Sequence, residues 1–241
     1  MLVIAHRGGA LLAAENSAAA FRAAAGAGAD MVETDVRRTR DGALICFHDD
    51  DLIRLAADAR KVADLDLTTL RGLVPNTLTL SQAIAASAPL GLLLDVKLRD
   101  AAILPPIVAE AEAAQAMSRV IFGLRGLESI IALRRQRSDA VILAFLDDPD
   151  AALAARAAGA DWFRLWEGDV TEARVAAVRR RSLRLAVMVG QPRDLAKPDE
   201  WPPFPVGKID RAGLEALVPF APDAILLDDP RSVMPLKYCV G

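Results

Sequence analysis

A chain of 241 residues, 53% hydrophobic and 25% charged, has the apolar mass for one large α/β domain or two small ones. Its net charge of -3 comes without a dense basic run, so nucleic-acid binding is not expected. Its two cysteines, Cys46 and Cys239, are too far apart for a disulfide framework or a zinc site, and no apolar run is long enough to span a membrane.

Met1 leads straight into an apolar run without a basic segment or a cleavage site, so a soluble cytoplasmic protein is expected. The first strand is predicted over 2–5 and delivers His6-Arg7-Gly8-Gly9. An alanine-rich helix follows over 17–27, with Asn16 or Ser17 as N-cap and Gly26 and Gly28 as stop signals. In the second strand, 31–37, alternation puts Glu33 and Asp35 on one face and Val32, Thr34 and Val36 on the other. Asp41-Gly42 turns the chain, and an apolar run over 43–47 brings His48 back beside the two acids. Residues 65–73 and 80–86 read as short helices, the second capped by Thr79 or Ser81. A third strand, 90–97, places Asp95 and Lys97 together on one face.

Beyond that point the rhythm is regular. Helices are predicted over 101–116, 127–137, 151–158, 171–180 and 210–218, and strands over 120–123, 141–146, 162–165, 184–189 and 224–227. About eight strands alternating with helices predict a parallel α/β fold. At this length a single-domain TIM (β/α)8 barrel over 1–241 is favoured over an open doubly wound sheet. No Gly-x-Gly-x-x-Gly turn follows the first strand, which speaks against dinucleotide binding. One connection stands apart: 190–207 is long and carries five prolines together with Trp201 and Phe204. It follows the seventh strand and should emerge at the catalytic rim, either packed on the outer helices or laid over the mouth as a lid.

In such a barrel the C-terminal strand ends form the working face. His6 and Arg7 fall at the end of strand one, Glu33 and Asp35 near the end of strand two, and Asp95 and Lys97 near the end of strand three. The chain has two histidines, and both land at this rim. Carboxylates directed into a barrel mouth repel one another unless positive charge offsets them. Three hard oxygen donors, Glu33, Asp35 and Asp95, point to Mg2+ or Ca2+ rather than zinc. With Arg7 and Lys97 as fixed cations and two histidines to move protons, the set suits a small phosphate ester.

His6-Arg7-Gly8, Glu15-Asn16-Ser17, the run 28–36, Thr39, Asp41-Gly42, His48-Asp49, Leu52 and Arg54 resemble the glycerophosphodiester phosphodiesterase family. The resemblance continues at Leu94-Asp95-Val96-Lys97 and, faintly, over 224–230. It implies a TIM barrel with a metal on Glu33, Asp35 and Asp95, an acid/base pair in His6 and His48, and phosphate contacts from Arg7 and Lys97. The implied reaction releases glycerol 3-phosphate and an alcohol from a glycerophosphodiester. A lysophospholipase D-type hydrolase and a non-catalytic phosphate-ligand binder are the alternatives on the same scaffold. A metal-dependent lyase or isomerase with Lys97 as base is disfavoured by the two flanking histidines. The chain departs from the family where Asp95 replaces the usual Glu and Ala14 the usual Pro. Gly123-Leu124 also stands in place of Ser-Phe, the Trp-Thr signature is absent from the seventh strand, and the family insertion is truncated to 49–89. Asp95 is shorter than Glu by one C–C bond, about 1.5 Å. It is therefore expected to bind through a water or from a strand set slightly inward.

Overall fold

In the computed structural model, which describes residues 1–193 and 201–233, short buried strands alternate with amphipathic helices. The first half contains β1 (Leu2–Ala5), α1 (Ala18–Gly26), β2 (Met31–Arg38), β3 (Leu44–Cys46), β4 (Asp51–Leu52), α2 (Ile53–Ala56), β5 (Asp58–Lys61), α3 (Leu67–Leu73), α4 (Leu80–Ser87), β6 (Gly91–Val96) and α5 (Leu104–Ala113). The second half contains β7 (Val120–Leu124), α6 (Leu127–Gln136), β8 (Val141–Ala144), α7 (Ala152–Ala158), β9 (Trp162–Trp166), α8 (Glu172–Arg180), β10 (Arg184–Met188), α9 (Arg211–Leu217) and β11 (Ala224–Leu227). Eight of the strands pair in parallel in the order β1-β2-β6-β7-β8-β9-β10-β11, and β11 returns to pair with β1. The sheet is therefore closed, and the expected TIM barrel is the fold.

Alternation along each strand divides the core into two layers. Val3, Val32, Leu92, Leu94, Phe122 and Phe163 pack outward beneath the helices. Ile4, Met31, Leu93, Leu143, Trp162 and Leu226 fill the barrel interior. Glu33 and Asp35 continue the inward face of Met31, so the floor of the interior is apolar and its C-terminal mouth is polar. Among the described residues, no helix is long and apolar enough to cross a membrane.

Local signals account for most element ends. Ser17, not Asn16, caps α1, accepting from the Ala20 amide at 3.2 Å. Thr79, not Ser81, caps α4 and forms a reciprocal box with Gln82. The helix predicted over 101–116 is shorter: a 3-10 turn covers Ala101–Ile103, and α5 begins at Leu104. Pro105 and Pro106 explain this, because they lack amide protons and are tolerated only in a first helical turn. The small β4–β5 hairpin with α2 was not foreseen, since its strands are too short and polar to show an alternation. Beside it Ile45, Phe47, Leu52, Val62, Leu65 and Leu70 form a satellite core.

Gly8 and Gly9 close the turn after β1 at φ +77° and +95°. A Cβ on Gly8 would stand 2.4 Å from Cδ1 of the buried Phe21 ring. Gly8→Ala therefore combines left-handed strain with overpacking, and a loss of about 2–4 kcal/mol is expected in urea unfolding. A loss below about 0.5 kcal/mol would show that the turn relaxes freely.

Residues 194–200 of the proline-rich connection, with Pro198, lie outside the described residues, as does Cys239. Its two ends run side by side: the Gln191 amide donates to the Phe204 carbonyl at 2.9 Å, and the Gly207 amide to Val189 at 3.0 Å. The Trp201 ring lies against Gly168, where a Cβ would fall 2.3 Å from it, in the turn that follows β9.

Candidate active site

The turn after β1 is wound tightly around the second strand. Arg7 adopts a left-handed conformation, φ 50°, at a cost on the order of 1–2 kcal/mol for a side chain with a Cβ. Two hydrogen bonds hold it there: its amide donates to Glu33 Oε2 at 2.7 Å, and its carbonyl accepts from the Asn16 amide at 2.8 Å. Asn16 is also left-handed, φ 55°, which asparagine tolerates better than most residues. Released from capping α1, its side chain donates to Asp35 Oδ2 at 2.8 Å and accepts from Thr34 Oγ1 at 2.6 Å. The buried Arg7 guanidinium reaches Glu15 Oε2 at 3.1 Å, with Nε 3.8 Å from Asp35 Oδ2.

Glu33 and Asp35 project inward from β2, and Asp95 projects from β6 directly opposite Asp35 in the ladder. One oxygen from each of the three can be chosen so that all lie within 4.8 Å of one another, and all three residues are buried. Burial, then the charges of Asp35 and Asp95, push the Glu33 carboxyl well above the usual range. Burial also works to raise Asp35, but Lys97, His48 and Arg7 hold it well below. For Asp95 burial is outweighed by Arg125 and Lys97, which hold it low. Glu33 Oε1 is buried without a hydrogen-bond partner. An orphaned oxygen beside two charged carboxylates fits a hard divalent cation and is costly without one.

Lys97, just past β6, stands 2.7 Å from Asp35 Oδ1 and 2.5 Å from Asp95 Oδ2. Arg125 grips Asp95 with both prongs, Nε to Oδ1 at 2.8 Å and Nη2 to Oδ2 at 2.5 Å. The strand carrying Asp95 is in ordinary register, and its short carboxylate is turned onto these two cations. Sequence reasoning missed Arg125, although the signal was present. Gly123, inside β7, and Arg125, just past its end, alternate as Glu33 and Asp35 do on β2. A Cβ at Gly123 would fall 2.4 Å from the Phe145 ring, and Arg125 lies 5.6 Å above the centre of that ring. Arg125→Leu, which breaks a largely buried ion pair, is expected to cost about 3 kcal/mol in denaturant unfolding of the metal-free protein. An unchanged midpoint would show that Lys97 alone satisfies Asp95.

The strand after the Asp41-Gly42 turn pairs antiparallel with β2, and the Phe47 amide donates to the Asp35 carbonyl at 3.0 Å. Arg37 Nε donates to the His48 carbonyl at 2.8 Å, so this extension fixes His48 over the acids. Each histidine is tethered through Nδ1 by a carboxylate: His6 to Asp228 Oδ1 and His48 to Asp49 Oδ1, both at 2.7 Å. Nε2 is thus the nitrogen left for chemistry on each ring. Burial lowers the pKa of His48 to about 4, so it is neutral at pH 7. Asp228 and Asp49 were not foreseen as orienting groups. Asp228 in turn lies against Gly207, where a Cβ would fall 2.2 Å from Oδ1, so the end of the long connection abuts the partner of His6.

Both histidines, Arg7, Lys97 and Asp95 line one cavity of about 460 Å³. From the long connection, Pro192, Arg193 and Val206 border this cavity; Trp201 and Phe204, singled out as the lid, are not among its walls.

The model of the glycerophosphoryl diester phosphodiesterase family matches residues 6–187. The chain belongs to this family. A glycerophosphodiester phosphodiesterase from Caldanaerobacter subterraneus is 42% identical over 72 residues, 30% of this chain and 30% of that protein. The aligned stretch thus spans less than a third of that curated relative. Solved structures extend the likeness of fold to nearly the whole chain. The glycerophosphodiester phosphodiesterase from Thermotoga maritima superposes with a TM-score of 0.78 at 18% identity, covering 98% of each chain. A phosphodiesterase from Oleispira antarctica, solved with the product sn-glycerol-3-phosphate, gives 0.77 at 18% identity, covering 98% of this chain and 96% of that one.

Proposed function

We propose that this member of the glycerophosphoryl diester phosphodiesterase family hydrolyses a glycerophosphodiester to glycerol 3-phosphate and an alcohol. The observation that carries the reading is a triad of carboxylates within 4.8 Å of one another, one of which, Asp95, opens onto a cationic cavity that two carboxylate-tethered histidines also line. The product bound by the Oleispira phosphodiesterase supports the choice of substrate class.

A Mg2+ or Ca2+ ion on Glu33, Asp35 and Asp95 would supply Lewis-acid charge for the phosphoryl oxygens. Arg7 and Lys97 hold the non-bridging oxygens and offset the charge that grows on them in the transition state. One histidine takes the proton from the nucleophile as its oxygen bonds to phosphorus. A water gives glycerol 3-phosphate directly, whereas the substrate's own glycerol 2-hydroxyl gives a cyclic phosphate that a water, deprotonated in turn, opens at the 2-oxygen to glycerol 3-phosphate. The other histidine donates a proton to the leaving alcohol oxygen as the P–O bond breaks. Asp228 and Asp49 keep the two rings aimed and stabilise whichever imidazolium forms.

The test is turnover of a panel of glycerophosphodiesters and lysophospholipids with and without chelator, read by glycerol 3-phosphate release. Metal-dependent release is expected. Head-group release from lysophospholipids alone would assign the lysophospholipase D class, and binding without turnover would assign a phosphate-ligand binder.

A further inference from the structure

Arg164 is a buried charge that this reaction leaves unused. It lies mid-strand in β9, on the inward face between Trp162 and Trp166, with only 4% of its surface exposed. Removing a guanidinium from water is costly unless a carboxylate compensates it. Among the described residues none does: its Nε has no hydrogen-bond partner, and Nη2 reaches the Leu146 carbonyl oxygen at 3.2 Å.

Among the described acids, Asp95, Asp147 and Asp169 act on Arg164 through space, and each is engaged elsewhere. Asp95 holds Arg125 and Lys97, Asp147 pairs with Arg99 at 2.8 Å, and Asp169 takes Arg174 at 3.3 Å. Arg125 adds a repulsion. The rings of Trp166 and Phe145, 4.8 and 5.6 Å from the guanidinium carbon, attract a cation but carry no neutralising charge. Burial lowers its pKa only to about 10, so Arg164 stays charged at neutral pH.

This side chain lines the same cavity as the histidines, where Arg7, Lys97, Arg99 and Arg125 are paired with Glu15, Asp35, Asp147 and Asp95 and Arg164 is not. Arg7 and Lys97 stand on the β1 and β6 side of the barrel. Arg164 stands on β9, beyond β7 and β8 in the wall. A phosphodiester held by Arg7 and Lys97 leaves the charge of Arg164 uncompensated.

We propose that Arg164 forms a second anion subsite, selecting glycerophosphodiesters whose alcohol part carries a further phosphate group. The proposal rests on the phosphodiesterase reading above and narrows its substrate class. The matched test pair is bis(glycerophospho)glycerol, with two phosphodiesters, and glycerophosphoglycerol, which lacks the distal one. Wild-type protein is expected to prefer the former in kcat/KM by about tenfold or more, the size of a charge-assisted hydrogen bond.

In Arg164→Met that ratio should fall by about the same factor, mainly through KM, and Arg164→Lys should keep part of it. The melting temperature of Arg164→Met should hold or rise, because an unpaired buried charge is removed. Calorimetric binding of both compounds, without turnover, keeps the test separate from the catalytic reading. Preferential binding of the doubly charged compound by a protein that cleaves neither would sink the hydrolase assignment and leave the subsite standing. An equal loss on both compounds in Arg164→Met would place Arg164 on the scissile phosphate and overturn the proposal. So would an unchanged ratio accompanied by a fallen melting temperature, which marks a structural residue.

Discussion

Replacing His6 or His48 with alanine is expected to lower kcat by about 10²–10⁴-fold, the usual contribution of a positioned acid or base. Both rings are buried or half-buried and tethered through Nδ1, to Asp228 and Asp49. Neither histidine belongs to the oxygen triad, so metal affinity should change far less than rate. A substrate with a good leaving group needs no acid, and it should restore most of the rate to whichever variant lost the acid. Asp228→Asn and Asp49→Asn should reproduce a smaller part of each loss, since they alter ring orientation while keeping the imidazole. Full activity of His6→Ala or His48→Ala on a natural diester would remove that residue from the reaction.

Stripping divalent cations is expected to reduce turnover to background, and Mg2+ or Ca2+ should restore it. The physical basis is the crowding of Glu33, Asp35 and Asp95 within 4.8 Å, with Glu33 Oε1 orphaned. A cation at a hundred times its dissociation constant stabilises the folded state by about 2.7 kcal/mol. For a chain of this size that raises the melting temperature by roughly 5–10 °C. Glu33→Gln should abolish this increment. It should also leave the cation-free protein no less stable than wild type, because an amide can still accept from the Arg7 amide and burial, Asp35 and Asp95 already disfavour the charged form of Glu33. An equal melting temperature with and without ions, together with chelator-insensitive turnover, would dismiss the site.

Much of this centre was legible from residue order alone. Period-two alternation put Glu33 with Asp35 and Asp95 with Lys97, and the barrel rule then brought all four to one rim. His48 followed from the Asp41-Gly42 turn, because an antiparallel return of this length lands beside the strand it left. Element boundaries were less legible. The start of α5 was decided by two prolines, and the β4–β5 hairpin has no periodic signal to find.

What the sequence by itself determined is the set of inward-facing polar residues on each strand, since the pleat depends only on local geometry. The tertiary structure alone decided which strands become neighbours, and with them the partners of those residues. His6 and Asp228 are 222 positions apart and meet because β11 closes onto β1. Arg125 reaches Asp95 because β7 lies beside β6 and because Gly123 leaves room for the Phe145 ring beneath it. The same closure seals Arg164 inside the wall, where no acid among the described residues pairs with it. Charge compensation is a property of contacts across the barrel, and no periodicity along one strand encodes it.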